Sequence, residues 1–372
     1  ITYMPKINRI DFIDLDISKN LNIKIQKKIS DLISSKKFIG GEYVENFEDS
    51  FSSFLNSKYC LGVANGTDAL EIAIEALNLP ENAEIIVPNF TFLSPAEAVI
   101  RSGYKLKLAD VNEEDCCIDV NSIKKLISDK TAAIILVHLF GFSCDMNEIL
   151  KIAKEFNLKL IEDCSQAHGA KFGKNFLGTF GDIGTFSFYP TKNLGAFGDA
   201  GAMIFKNSSL RTKSKQIANH GRVGTYDHIL PGRNSRLDSI QALVLREKLN
   251  FLKETNEKRR SLANYLIKNI DQKKISLVNP LRDSYPVFHQ FPIFVKNRDS
   301  FKQYLSSKNI QSGIYYPKPL SSMKAFKSDK VVEFHDFKSK RLSRAILSLP
   351  MGPHLTKDHM DYLLNAVKSF QN

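Results

Sequence analysis

Apolar and polar positions along this chain alternate between two kinds of segment. Short apolar runs at residues 84–87, 105–109, 132–138, 158–161, 185–188 and 202–205 have the length and compactness of buried strands. Segments with helical spacing lie between several of them. Residues 18–35 read as an amphipathic helix. Asn65-Gly66-Thr67 is a turn opening a helix, with Ala69, Leu70, Ala73, Ile74 and Leu77 on one face. Residues 121–127 and 146–156 read as further helices. This alternation predicts an α/β fold, a mostly parallel sheet covered on both faces. Ligands then sit at the carboxyl ends of the strands. Asp163 and the loop from Ser187 to Lys192 both fall there.

Residues 237–266 form one long helical stretch, read as a connector between a large domain (1–250) and a smaller C-terminal one (251–372). The smaller domain is expected to hold strands near 287–295 and 311–315, and helices near 301–306, 339–346 and 359–368. Neither internal repeats nor low-complexity linkers interrupt the pattern.

The 372 residues suffice for two domains with a sizeable core, and 43% hydrophobic with 25% charged residues is an ordinary soluble balance. No apolar run approaches the roughly 20 residues that a membrane span needs. The visible start, from Ile1 to Ile10, carries no signal-peptide apolar core. The five cysteines (Cys60, Cys116, Cys117, Cys144 and Cys164) match no zinc spacing, so no metal site is expected. Their odd count and the adjacent pair fit reduced thiols in a cytoplasm. Net charge is +12. The basic residues are scattered, without a nucleic-acid-binding signature, so the charge is read as a lysine-rich surface that attracts a phosphate-bearing substrate.

Lys192 is the most informative position. It follows an apolar strand and a Pro turn in Ser187-Phe188-Tyr189-Pro190-Thr191-Lys192, while Asp163 ends a neighbouring strand. Pyridoxal phosphate (PLP) chemistry needs such a pair: a lysine to form the Schiff base, and a carboxylate to keep the pyridine nitrogen protonated. Gly66 and Thr67 open a helix where free N–H groups and the helix dipole favour a phosphate, although simple capping explains them equally well. Phe92 is placed to stack on the ring, or else to pack in the core. Gln166 is within reach of the ring oxygen, and Ser187 can add a phosphate hydrogen bond. His168 is a candidate contact to cofactor or substrate, set against a satisfied packing role.

At this point the chain resembles the sugar-nucleotide aminotransferases of the DegT/StrS type, over nearly its whole length. The motifs that carry the resemblance occur in order: Phe38-Ile39-Gly40-Gly41, Ala64-Asn65-Gly66-Thr67-Asp68-Ala69-Leu70 and Val137-His138-Leu139-Phe140-Gly141. Glu162-Asp163-Cys164-Ser165-Gln166-Ala167-His168-Gly169, the run from Phe186 to Gly201, Asn234-Ser235-Arg236-Leu237-Asp238 and Leu347-Ser348-Leu349-Pro350-Met351 follow. The resemblance implies the PLP fold type I, or aspartate aminotransferase fold: a mostly parallel seven-stranded-type sheet in a large domain, with a smaller α+β C-terminal domain. It also implies Lys192 as the Schiff-base lysine, Asp163 on the pyridine nitrogen, Gln166 near the ring hydroxyl and Phe92 on the ring face. Gly66, Thr67 and Ser187 would hold the phosphate, with Asn234 reaching it from the neighbouring subunit of a homodimer. A turn residue ahead of the long helix is the other reading of Asn234. Tyr189, Tyr316, Arg222, Arg233 and Arg236 are candidate substrate contacts, the arginines for a diphosphate.

The expected reaction is amino transfer from glutamate to a nucleotide-diphosphate-linked keto-sugar. A dTDP-linked 3-keto-6-deoxyhexose leads, with C4 or C2 amination open, and deoxyamino-sugar synthesis for an O-antigen or a glycoside as destination. Departures such as Phe142-Ser143 and Ser321, where many members carry Gln-Pro and histidine, bear on substrate choice. A PLP sugar dehydratase is disfavoured because Lys192 is a lysine. A DNA-binding regulator is disfavoured because the positive charge forms no recognition helix.

Overall fold

A computed structural model describes residues 9–273 and 275–370. The chain opens with α1 (Lys19–Ser35), capped by the Ser18 side chain, and α2 (Glu42–Phe54). Strand β1 (Cys60–Val63) leads into α3 (Gly66–Leu77). Three alternations follow: β2 (Glu84–Pro88) to α4 (Ser94–Arg101), β3 (Lys105–Ala109) to α5 (Val120–Leu126), and β4 (Thr131–Val137) to α6 (Met146–Glu155). After β5 (Lys159–Asp163) come the short strands β6 (Lys171–Phe172) and β7 (Asn175–Phe176), then β8 (Ile183–Ser187), β9 (Gly201–Phe205) and α7 (Ser208–Ala218). Helix α8 (Ser239–Asn269) is 31 residues long, about 46 Å at 1.5 Å per residue.

The C-terminal part adds β10 (Ser276–Leu277), β11 (Ser284–Tyr285), β12 (Phe291–Phe294), α9 (Arg298–Ser307), β13 (Val331–Phe334), α10 (Phe337–Ala345), β14 (Ile346–Leu349) and α11 (Lys357–Ser369). The main sheet has the order β1-β9-β8-β5-β4-β2-β3-β13. Only β9 runs against its neighbours; the pairs from β8 to β13 are parallel. Seven of its strands come from the N-terminal 205 residues, the number that the resemblance implies, although β1 is not among the six apolar runs. The eighth, β13, is an edge contributed from the C-terminal part that the sequence pattern did not reveal. The central strands are buried on both faces, which is why they read as unbroken apolar runs instead of alternating ones.

Two C-terminal expectations are corrected. No strand spans 311–315. That segment meets the three-stranded sheet β10-β12-β14 through an isolated bridge between Gly313 and Ser348, and Tyr315, with the following Tyr316, lines a cavity. The run at 287–295 pairs only over β12. Phe288 has a positive φ of 42°, which interrupts the ladder and frees His289 and Gln290 to line the same cavity. Residue 250 lies inside α8, whose buried face packs against α1, α2 and α11. No helix among the described residues is long and apolar enough to cross a membrane. All five cysteines are free and buried.

Candidate active site

Parallel strands carry their last residues to one edge of the sheet, and the chemistry gathers there. β5 ends on Asp163 and β8 on Ser187, followed by a turn in which the Lys192 N–H donates to the Tyr189 carbonyl at 2.9 Å. A cavity of about 680 Å³ opens at this edge. Lys192, Asp163, Gln166, Ser187, Tyr189, Gly66, Thr67, Phe92 and Tyr316 all line it.

The helix opening at Gly66 is pinned tightly. Asn65 caps α3, its side chain accepting the Asp68 N–H at 2.8 Å, which leaves the Gly66 and Thr67 N–H groups without an intrahelical acceptor. A Cβ placed on Gly66 would lie 2.7 Å from the Ser187 Cβ, and one on Gly201 would lie 2.5 Å from the Asn65 carbonyl carbon. Glycine at these positions lets a helix N-terminus press against β8 and β9 beside the serine hydroxyl. The Thr67 hydroxyl is 2.8 Å from that of Ser94. Donors at a helix dipole's positive end form an anion cradle.

Burial pushes the Asp163 carboxyl up, opposed by hydrogen bonds from Ser165 and by the Lys192 charge. The Ser165 N–H donates to Asp163 Oδ1 at 2.9 Å. Burial pulls the Lys192 ammonium down, opposed by Asp163. Both groups are thus held nearer neutrality than in water, which makes the lysine a better nucleophile and proton carrier. Gln166 is fixed at both ends: its Oε1 accepts the Phe140 N–H at 2.7 Å and its Nε2 donates to the Tyr316 hydroxyl at 3.2 Å. Burial pushes the Tyr316 hydroxyl up, so it stays protonated. The Phe92 ring is half-exposed and 6.3 Å from the Tyr316 ring.

His138 follows β4, and Glu162 precedes Asp163 on β5. The His138 Nε2 is 3.0 Å from Glu162 Oε2, and its Nδ1 accepts the Cys144 N–H at 3.2 Å. That makes it a neutral imidazole donating through Nε2. Glu162 also accepts the N–H groups of Gly178, Phe180 and Gly181. His138, Glu162 and Cys164 lie close enough to hold a metal, but the imidazole and carboxylate are committed to protein hydrogen bonds, so the cluster reads as structural.

Several expected contacts lie elsewhere. His168 is fully buried between Phe186 and Phe188, with ring centroids 5.8 and 5.5 Å away, and is absent from the cavity wall. Burial and the Lys192 charge push its imidazole down to about 3. Arg222 folds back on its own loop, donating to the carbonyls of Gly224 at 2.6 Å and Thr225 at 2.5 Å. Arg233 is paired with Glu71 and Glu75 of α3. Asn234 forms a bridge with Asn219, and both Asn234 and Arg236 are exposed. None of these five lines the cavity within one protomer.

The cavity also has walls the sequence reading missed. Phe12 and Asp14 come from the N-terminal segment, and Arg259 from α8. His289, Tyr315 and His354 come from the C-terminal part. Only Arg259 left a signal: Leu252, Asn256, Arg259, Ala263 and Leu266 recur at helical spacing, placing a guanidinium on an apolar stripe.

A lysine and a buried carboxylate on adjacent parallel strand ends, beside an anion cradle closed by Gly66, fit pyridoxal phosphate and define a PLP-dependent aminotransferase of fold type I. The chain belongs to the DegT/DnrJ/EryC1/StrS aminotransferase family, whose sequence pattern matches residues 19–368. It is 37% identical, over 97% of its length and 99% of the relative's, to the dTDP-3-amino-3,6-dideoxy-alpha-D-galactopyranose transaminase of Aneurinibacillus thermoaerophilus. It superposes on Streptomyces venezuelae DesV, crystallised in complex with a ketimine intermediate, with a TM-score of 0.93 at 31% identity, covering 98% of this chain and 100% of that one. NtdA of Bacillus subtilis, solved with bound cofactor PMP, matches with a TM-score of 0.87 at 30% identity, covering 98% and 85%.

Proposed function

We propose that this enzyme moves an amino group from glutamate to a nucleotide-diphosphate-linked 3-keto-6-deoxyhexose, with dTDP as the favoured nucleotide, for deoxyamino-sugar synthesis such as that of an O-antigen. The observation that carries the reading is the placement of Asp163 at the end of β5 and of Lys192 in the turn after the neighbouring parallel strand β8, both lining one cavity. The 3-amino sugar named for the 37% identical relative supports amination at C3.

Pyridoxal phosphate, when bound, supplies the electron sink that makes a Cα proton removable. The chain supplies the rest. Asp163 would hold the ring nitrogen, its anion raising that nitrogen's basicity. The N–H groups of Gly66 and Thr67 and the hydroxyls of Thr67 and Ser187 would hold the phosphate. Gln166, anchored by the Phe140 N–H, would meet the ring oxygen, and Phe92 would cover the ring face. Lys192 Nζ, its pKa lowered by burial, takes the proton from the donor's Cα. On the sugar the same amine returns a proton to the carbon that gains nitrogen.

The working unit is a homodimer in this proposal. The segment carrying Asn234 also exposes Val223, Tyr226 and Ile229, with Tyr226 88% exposed, an apolar surface suited to a second copy. Asn234 and Arg236 would then complete the partner's site. Free, buried thiols support a cytoplasmic setting.

The test is an absorbance spectrum of the PLP-loaded protein before and after glutamate, for wild type and Lys192→Ala. Conversion of the cofactor band in wild type alone, followed by amination of a dTDP-3-keto sugar in preference to 4-keto analogues, supports the proposal. A wild type that binds no PLP, or does not respond to any amino acid, rejects it.

A further inference from the structure

Arg259 is 9% exposed, yet among the described residues it has no acidic partner. All three of its hydrogen bonds leave from Nη1, to the carbonyls of Phe288 at 3.3 Å, His289 at 3.5 Å and Met351 at 2.7 Å. Among the described residues its Nε and Nη2 meet no acceptor, and the side chain lines the cavity. Burial alone draws its pKa down to about 10, with no protein anion to offset it, so the group remains cationic at neutral pH. A buried guanidinium with its charge uncompensated and two donor nitrogens left over is costly unless a ligand meets it. The neighbouring Arg260 is satisfied by contrast, stacked 3.5 Å from the centre of the Tyr285 ring.

We propose that the free edge of Arg259 is the binding site for a carboxylate of the amino donor. The assignment rests on the aminotransferase reading and adds the residue that selects the donor. An Nε/Nη2 edge matches the two oxygens of a carboxylate in parallel hydrogen bonds. Its distance from Lys192 is short in bonded terms. Arg259 holds the His289 carbonyl, the His289 Nδ1 is 3.0 Å from the Asn193 Oδ1, and Asn193 follows Lys192 in the chain. The Asn193 amide is spent on Asn256 Oδ1 and the Val287 carbonyl, so His289 donates through Nδ1 and the wall is rigid. A donor's α-carboxylate sits one bond from the carbon that Lys192 must deprotonate. The diphosphate of a sugar nucleotide is separated from its reacting carbon by the sugar ring and trails a nucleoside toward solvent. The deep position of Arg259 therefore favours the donor.

The probe is glutarate, a dicarboxylate without an amine, titrated calorimetrically into the PLP-loaded enzyme, with dTDP as the control. Arg259→Gln is expected to weaken glutarate at least about thirtyfold, the scale of removing one partner from a buried charged pair, with Arg259→Lys intermediate and dTDP within about threefold of wild type. Unchanged glutarate affinity, or a loss confined to dTDP, overturns the assignment. Because Nη1 ties three carbonyls, the variants can lose stability, so a wild-type crystal soaked in glutarate gives a second measurement. A carboxylate on Arg259 Nε or Nη2 supports the site; glutarate bound only elsewhere in the cavity rejects it. If the wild type transaminates while the Arg259 variants keep its donor KM, this inference fails and the aminotransferase reading stands. If no amino acid reacts, that reading itself has failed.

Discussion

Gln166 and Tyr316 meet in the cavity, amide to hydroxyl at 3.2 Å, although 150 residues separate them in the chain. The other end of the same amide holds the N–H of Phe140, a residue with a φ of 59°. The pair therefore joins the edge of the main sheet to the C-terminal part through one side chain.

Unequal consequences follow for the two partners. Gln166→Ala strands the buried Phe140 N–H and should cost about 1–3 kcal/mol. Tyr316→Phe removes one hydrogen bond at the cavity wall and should cost about 0.5–1.5 kcal/mol. Urea denaturation midpoints of the two variants check the order. A larger loss for Tyr316→Phe would mean that the Phe140 anchor is not what Gln166 supports.

His168 gives the protein an acid weakness. Its folded pKa of about 3 lies below the ordinary 6.5, so between those values the unfolded chain takes up a proton that the fold refuses. Stability therefore falls as pH drops from about 6.5 toward 3, by at most ~1.4 kcal/mol per pH unit for this group. His289, also depressed by burial, adds to the same slope. His168→Phe should flatten part of it, since the site between Phe186 and Phe188 accepts a ring. Melting temperatures at pH 7.5 and pH 5 would show this, and equal pH slopes for variant and wild type would refute it.

Arg233 is expected to act on the fold and not on the nucleotide. Its guanidinium is committed to Glu71 and Glu75, and Glu71 is only 5% exposed. Arg233→Gln should lower stability by about 1–3 kcal/mol, with Arg101 still pairing Glu71 at 2.6 Å to limit the loss. Affinity for dTDP should stay within about threefold of wild type. A large loss of dTDP binding at unchanged melting temperature would restore the diphosphate role first expected of this arginine.

The parts legible in the sequence were those set by local pattern. Strands buried on both faces announce themselves as apolar runs, and β3 spans the expected residues 105–109. The turn at Asn65-Gly66-Thr67 opens α3 as its capping chemistry implies. Lys192, Asp163, Gly66, Thr67, Phe92, Gln166, Ser187 and Tyr189 all reach one cavity because the loops after parallel strands converge at one edge of the sheet, and Tyr316 joins them from the C-terminal part. What stayed hidden depended on distant partners. β13 has an exposed, unremarkable sequence and becomes a strand only by pairing with β3. The segment at 311–315 has the composition of a strand but loses its ladder to the cavity. His168 resembled a site residue by position, and only packing reveals the two phenylalanines that enclose it.

The unbroken length of α8 bears on how this protein can change over evolutionary time. The helix begins one residue after Asp238, shortly past the exposed Asn234 and Arg236, and carries Asn256 on the same buried stripe as Arg259 of the cavity wall. Adding or deleting one residue between Asp238 and Asn256 would turn everything downstream by about 100° and swing both side chains off that stripe. Length variation among descendants of this sequence should therefore collect in the loops around α8, while new substrate preferences arise by exchange of side chains along a helix of fixed length.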